Sequence, residues 1–427
     1  MLGSKKIPAK LTTIASVKTP VQSTLRRMWL KRCLLLASVP SLQSWSAAAL
    51  SGLTTTSASP TGSSSLAGAA SSAYPVSVAH VDSVAGAAYP EVFPRKLVFP
   101  QDFGAHPDYR TEWWYMTGWL GEGAAKMGFQ VTFFRSRTLH PDNNPSRFAP
   151  RQLLFAHAAL ALPSEGQLRH AEVAGRAGSA GASFSTTDTA LTLSGWSLQR
   201  TADDHYKIII PAEHFTLEVD AFTALAPILR GDDGYSAKGP SPQSASYYYS
   251  RPQLHVSAKI ALKNTSGGRG RAEQLLKLTG SAWFDHEWSS SLLMAGAVGW
   301  DWIGINLLDG SSLMAFRMRN AAKETLFSEW DWRDSRGQVI ERRQDVRWQP
   351  LGQWRSPRSL FAYPERFELH VARRTLTLQS LMSDQEVNAQ ASTGGFYYEG
   401  AVELTENGKS LGRGYLELTG YGAPVAL

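Results

Sequence analysis

The chain is predicted to be all-β. Apolar residues recur at every second position, strand-length runs are separated by Gly, Asn, Asp and Pro, and no long stretch carries a helical repeat. The alternation is clearest over residues 126–137, 190–199, 206–211, 215–222 and 367–378, each of which reads as a strand. Hairpin signals are explicit at Asp309-Gly310, between 302–308 and 311–318, and at Asn407-Gly408, between 401–405 and 410–418. Such dipeptides reach the positive φ of tight turns at little steric cost. The best helix candidate is 152–162, which is also plausible as a strand. Many short strands without βα alternation favour an antiparallel sandwich or barrel over an α/β sheet.

Taken in order, residues 1–49 read as an export signal. Leu25-Arg26-Arg27-Met28-Trp29-Leu30-Lys31-Arg32 is a charged region, 33–45 is an apolar run too short to span a bilayer, and Ala47-Ala48-Ala49 is a small-residue cleavage site. The paired arginines resemble a twin-arginine signal; an ordinary secretory signal starting at Met28 and an organellar transit peptide are the alternatives. The expected location is exported, periplasmic or secreted. The sole cysteine, Cys33, would leave with the signal, so a mature chain has no disulfide, thiolate metal site or Cys nucleophile. Residues 50–91 are a linker rich in Ser, Thr, Ala and Gly, a composition that buries too little apolar surface to order itself. Structure is expected from Val92-Phe93-Pro94 onward. The remaining length exceeds one small barrel, so two β domains are expected, 92–275 and 276–427, with loops at 231–246 and 264–271.

The net charge of +7 is a property of the leader. Eight basic residues, Lys5, Lys6, Lys10, Lys18, Arg26, Arg27, Lys31 and Arg32, precede the first acid, Asp82, and 7 − 8 leaves about −1 for the rest. A near-neutral body offers no broad basic footprint for phosphates, which argues against nucleic acid as a partner.

Outside the leader, seven Trp residues fall in three short acid-bearing segments: Trp113, Trp114 and Trp119; Trp283 and Trp288; Trp300 and Trp302. Residues two apart on a strand share a face, so Trp283, Asp285 and Glu287 point one way, and Phe284, His286 and Trp288 the other. A solvent face would expose a large indole. A core face would bury carboxylates at several kcal/mol each unless they are paired or protonated. A pocket with apolar walls and a polar floor satisfies both, and the same argument applies to Glu112 with Trp114. The bland alternative is that these acids pair with arginines such as Arg110 or Arg135 and close the barrel ends. His106, His157 and His286 lack metal-ligand spacing, and nucleotide, phosphate-loop and serine-elbow motifs are missing, so neither a metal nor a cofactor is expected.

These residues are similar to those of the CrtC/AttH-like family, which includes carotenoid 1,2-hydratase and predicted secreted hydrolases. The resemblance spans about 92–421. It is carried by Phe99-Pro100-Gln101-Asp102-Phe103-Gly104-Ala105-His106-Pro107, Thr111-Glu112-Trp113-Trp114-Tyr115, Phe129-Gln130-Val131-Thr132-Phe133-Phe134-Arg135, Phe155-Ala156-His157, Tyr248-Tyr249-Ser250-Arg251-Pro252, Trp283-Phe284-Asp285-His286-Glu287-Trp288 and Gly299-Trp300-Asp301-Trp302-Ile303. It implies a pair of lipocalin-like β-barrels. The hydratase branch has Asp-His-Asn-Trp where this chain has Asp285-His286-Glu287-Trp288, which brings the sequence nearer the AttH branch.

If the hydratase activity carries over, a carboxylic acid kept protonated by an apolar pocket donates to an isoprenoid double bond, and water captures the tertiary cation beside indole faces. Asp285 is the expected acid, with His286 as its partner and Glu112 or Asp301 positioning water; Glu287 completes the catalytic set. Trp113, Trp114, Tyr115, Trp283, Trp288, Trp300, Trp302, His157 and Tyr249 are the expected substrate wall. Strict alternation places Asp301 opposite Trp300 and Trp302 unless a bulge intervenes. The rival readings are a non-catalytic carrier of lipophilic molecules and a hydrolase of a lipid-like ester. The expected partner is a lipophilic small molecule, membrane-proximal transport machinery is compatible with export, and no feature sets an oligomeric state.

Overall fold

The computed structural model describes residues 89–425 except Asp142, Arg147, Gln243, 264–272 and Leu292. The export signal and almost all of the linker lie outside the described residues. The first sheet comprises β1 (Thr111–Leu120), β2 (Met127–Arg137), β3 (Gln152–Leu162), β4 (Gln167–Arg176), β5 (Ala182–Phe184), β6 (Ala190–Leu193), β7 (Trp196–Arg200), β8 (Tyr206–Pro211), β9 (Phe215–Phe222), β10 (Ile228–Leu229), β11 (Tyr235–Ala237), β12 (Ala245–Leu262) and β13 (Gln274–Ser289). The second holds β14 (Gly299–Leu307), β15 (Ser312–Arg319), β16 (Thr325–Arg333), β17 (Val339–Arg343) and β18 (Arg347–Leu351). After a separate hairpin of β19 (Trp354–Arg355) with β20 (Ala362–Tyr363), it resumes with β21 (Arg366–Val371), β22 (Arg374–Ser380), β23 (Glu386–Ala389), β24 (Gly395–Glu406) and β25 (Lys409–Leu418). Among the described residues the only helical turns are 3-10, at Gln101–Phe103 and Gly123–Ala125.

Each sheet curls into a nearly closed, lipocalin-like barrel. The first runs β4-β3-β2-β1-β13-β12-β9-β8-β7-β6-β5, and its two end strands are joined by the short turn 177–181. The second runs β17-β16-β15-β14-β25-β24-β22-β21-β18, with its ends joined by 344–346. A connection that short brings both edges of a sheet together, which removes most unpaired edge groups. Inward-facing alternate residues fill each barrel: Phe129, Phe133, Leu160, Ile208, Leu217 and Phe284 in the first; Ile303, Ile305, Phe367, Leu376, Leu404 and Leu416 in the second.

The sequence reading needs three adjustments. The segment 152–162 is a strand. The runs 190–199 and 367–378 are each a hairpin: Ser194 and Gly195 both adopt positive φ (53° and 87°), as does Ala372 (54°), so the chain turns where polarity alternation alone suggests continuity. The change of sheet also falls later than residue 275, because β13 pairs along its length with β12 and β1 and only the chain after Ser289 passes to the second barrel.

A third apolar cluster lies between the barrels and includes Tyr115, Trp119, Trp283, Trp302, Met314, Phe316, Ala401 and Tyr415. Gly304 makes it possible: a Cβ there would lie 2.5 Å from the Trp302 ring and 2.8 Å from that of Trp283. The bare backbone leaves room for both indoles, which meet edge to face at 76°.

Candidate active site

The outward faces of β1, β12 and β13 look across this cluster at β14, β15, β24 and β25, and a cleft opens between them with about 840 Å³ of atom-free space, part of it open to solvent. Its apolar walls are Trp113, Tyr115, Phe134, Trp300, Trp302 and Phe316. Its polar lining is dominated by four carboxyl side chains, Asp285, Glu287, Glu399 and Glu417, with Lys238 and Tyr248.

Alternation sets which residues reach it. On β13, Asp285 and Glu287 face the cleft and Trp283 packs beneath, donating its Nε1–H to Asp285 Oδ1 at 2.8 Å. Tyr248 donates its hydroxyl to Oδ2 at 2.8 Å, and Ser250 Oγ donates to Oδ1. Burial nonetheless outweighs these donors and nearby Arg230, and the Asp285 pKa is pushed up to about 6. Glu287 is held by Lys238 Nζ at 3.0 Å and by Ser246 Oγ, while the Lys238 ammonium lies over the rings of Tyr248 and Phe316 at 4.8 and 4.6 Å.

The other two acids come from the second barrel. Glu399 on β24 accepts the Tyr115 hydroxyl at 2.9 Å, and Glu417 on β25 accepts the Trp300 Nε1–H at 2.8 Å. Neither is bonded to a cation among the described residues. Burial drives Glu399 well above the carboxyl range, reinforced by Glu417, and burial with the charges of Glu287 and Asp285 moves Glu417 up to about 7. Glu399 and Glu417 were absent from the sequence-derived set, although Tyr397-Tyr398-Glu399 and Tyr415-Leu416-Glu417 repeat the aromatic-x-acid spacing of Trp283 and Asp285.

Several expected site residues face the interior of the first barrel instead. Glu112 stands directly across from Arg135 in the β1–β2 register and bonds its Nε at 2.8 Å, the arginine-paired alternative of the sequence reading. Its other oxygen meets His106 Nδ1 at 2.8 Å and His286 Nε2 at 2.9 Å. Burial alone would raise Glu112, but Arg135 and the two imidazoles hold it well below the usual carboxylate range. Burial lowers His286 to about 4, and burial likewise opposes charge on His106, where hydrogen bonds to Asp102 and Glu112 prevail and raise its pKa. His286 therefore does not partner Asp285, and Glu112 does not reach its water, because adjacent residues on a strand point to opposite faces. Trp114, Trp288 and Tyr249 share that interior; Tyr249 bonds His286 Nδ1 at 3.2 Å, and Trp288 stacks on His106 at 3.7 Å.

Asp301 also points away from the cleft. The β14–β15 register is unbroken from Gly299 to Asn306, so no bulge turns it back, and it is clasped by Arg317 Nε at 2.7 Å and Arg319 Nε at 2.8 Å. His157 bridges the barrels beside the cleft, bonded to the Tyr397 hydroxyl and Ser392 Oγ at 2.7 Å each, and burial drops its pKa to about 3. His106, Glu112 and His286 offer ligand atoms within 4.8 Å of one another, but Arg135 already neutralises that carboxylate and every facing imidazole nitrogen has a hydrogen-bond partner. The donor set fits an ion-pair network better than a cation.

Fold and site together define a two-barrel, lipocalin-like protein with a carboxyl-bearing aromatic cleft between its barrels. The chain belongs to the AttH-like family, whose model matches residues 90–421. Among solved structures it is similar to an AttH protein from Nitrosomonas europaea, with 42% identity, a TM-score of 0.70, and coverage of 78% of this chain and 99% of that one. It is also similar to kievitone hydratase from Nectria haematococca, with 13% identity, a TM-score of 0.54, and coverage of 79% and 99%, a likeness of fold alone. No curated protein matches the chain.

Proposed function

We propose that the inter-barrel cleft adds water to an electron-rich double bond of a lipophilic substrate, of the isoprenoid or carotenoid type. The observation that carries this reading is the set of three carboxyl groups, buried Asp285 and Glu399 and half-buried Glu417, all displaced upward by desolvation and set among Trp113, Trp300 and Trp302. Protonating an alkene requires a neutral acid near physiological pH, and the resulting cation requires aromatic faces more than water around it. That one structural relative is named a hydratase agrees with this chemistry. Asp285, with three donors on its carboxylate, suits the role of water-holding base. The leader would place the reaction outside the cytoplasm.

The test is incubation of the purified mature chain with isoprenoid alkenes in ¹⁸O-labelled water. The expected product is an alcohol carrying the label, formed equally well with a chelator present. Asp285→Asn should abolish turnover and keep ligand affinity. Tight binding of the alkenes with no labelled product would instead support a carrier, and chelator-sensitive cleavage of esters a hydrolase.

A further inference from the structure

Glu399 and Glu417 are direct partners in the β24–β25 register, two like side chains placed opposite each other on adjoining strands at the second barrel's wall of the cleft. Two carboxylates so placed repel, and ionisation of one disfavours ionisation of the other. Glu399 is 2% exposed, and only its Oε2 has a hydrogen-bond partner among the described residues, so its second oxygen is left unbonded at the cleft wall. Asp285 and Glu287, across on β13, deepen the pair's preference for a proton, whereas the donors Tyr115 on β1 and Trp300 on β14 oppose it; the remaining titratable neighbours, Tyr397 and Tyr415, lie on the two strands themselves. The cations nearby are engaged elsewhere: Lys238 by Glu287, Arg230 by Asp331 at 2.6 Å, and Arg413 by Glu122 at 2.8 Å.

We propose that Glu399 and Glu417 share a single proton and are together the acid of the cleft, the proton donor to the double bond. The assignment rests on the hydration reading above and moves the acid role away from Asp285. In the forward step the dyad's O–H bond breaks, the π pair of the alkene forms the new C–H bond, and a tertiary cation faces a carboxylate. Water then forms the C–O bond and loses its extra proton to Asp285, from which it returns to the dyad through solvent. One proton leaves and one returns, with water the sole co-reactant.

The test reads the proton without any substrate. In infrared titration of the full mature chain carrying ¹³C-carboxyl glutamate, wild type should show an isotope-shifted C=O band of a neutral glutamate at pH 7, and Asp285→Asn should retain it. In Glu417→Gln, loss of the like charge should lower the titration midpoint of Glu399 by about one unit, a tenfold weaker hold on the proton. Absence of the band in wild type, or an unchanged Glu399 midpoint in the variant, would overturn the dyad. Labelled-water turnover separates the two claims: a band without any hydration removes the donor role and the hydratase reading, whereas hydration that survives Glu417→Gln at the wild-type rate removes the dyad alone.

Discussion

At the residue scale, the central contrast is between two buried acids on the paired strands β1 and β13, Glu112 and Asp285. Glu112 is ionised because Arg135 and two histidines surround it; Asp285 is pushed up to about 6 because its partners are neutral donors and its nearest cation, Arg230, is tied to Asp331. Glu112→Gln should therefore leave Arg135 buried without its counter-charge and destabilise the fold by about 3–5 kcal/mol, measurable by denaturant unfolding. Asp285→Asn should be nearly neutral in the same assay. Replacing Trp302 by Leu removes an indole from the cleft wall and should lower turnover on the order of tenfold while leaving unfolding midpoints close to wild type. The Asp285 segment was legible in the sequence because acids sharing a strand face with Trp283 are costly anywhere but a pocket. The roles given to His286 and Glu112 were not, since family motifs mark residues on both faces of β1 and β13 and a motif alone does not say which face meets a ligand.

At the element scale, β24 and β25 carry a like-charge pair whose stability has a defined pH dependence. Glu417 binds its proton up to about pH 7 in the folded chain and near the ordinary value of 4.5 when unfolded. Between those limits the folded state holds more protons, so its contribution is full below about 4.5 and is lost as pH rises through about 7. The loss should be on the order of 2–3 kcal/mol and should vanish in Glu417→Gln, as followed by melting temperature against pH. If Asp285 must be ionised while the dyad keeps its shared proton, turnover should rise with pH through about 6 and fall only where Glu399, held well above the carboxyl range, gives that proton up. The hairpins at Asp309-Gly310 and Asn407-Gly408 were read from turn chemistry and are present between β14 and β15 and between β24 and β25. Ser194-Gly195 and Ala372-Arg373 carry weaker turn signals, so two hairpins there read as single strands.

At the scale of the whole molecule, the site exists because two barrels pack wall to wall. Alternation predicts that an outward face of β13 carries Trp283, Asp285 and Glu287, but the surface that covers this face comes from strands more than a hundred residues later, β24 and β25, and register across such a distance is set by tertiary packing. The all-β class and the two barrels were legible; the position of the cleft between them, and two of its acids, were not. Arg230 spans the gap with its ion pair to Asp331, so Arg230→Met should loosen the barrels and, by removing a nearby positive charge, raise the Asp285 titration midpoint above about 6, as read by infrared titration of ¹³C-aspartate.

On the proposed function, the ligand sits between the barrels and not inside either one. A crystal structure of the protein soaked with a long-chain isoprenoid alkene tests it most directly. The account predicts electron density running past Trp113, Trp300 and Trp302 with the double bond near Glu417; density inside the first barrel, against Trp114, Trp288 and Tyr249, would contradict it.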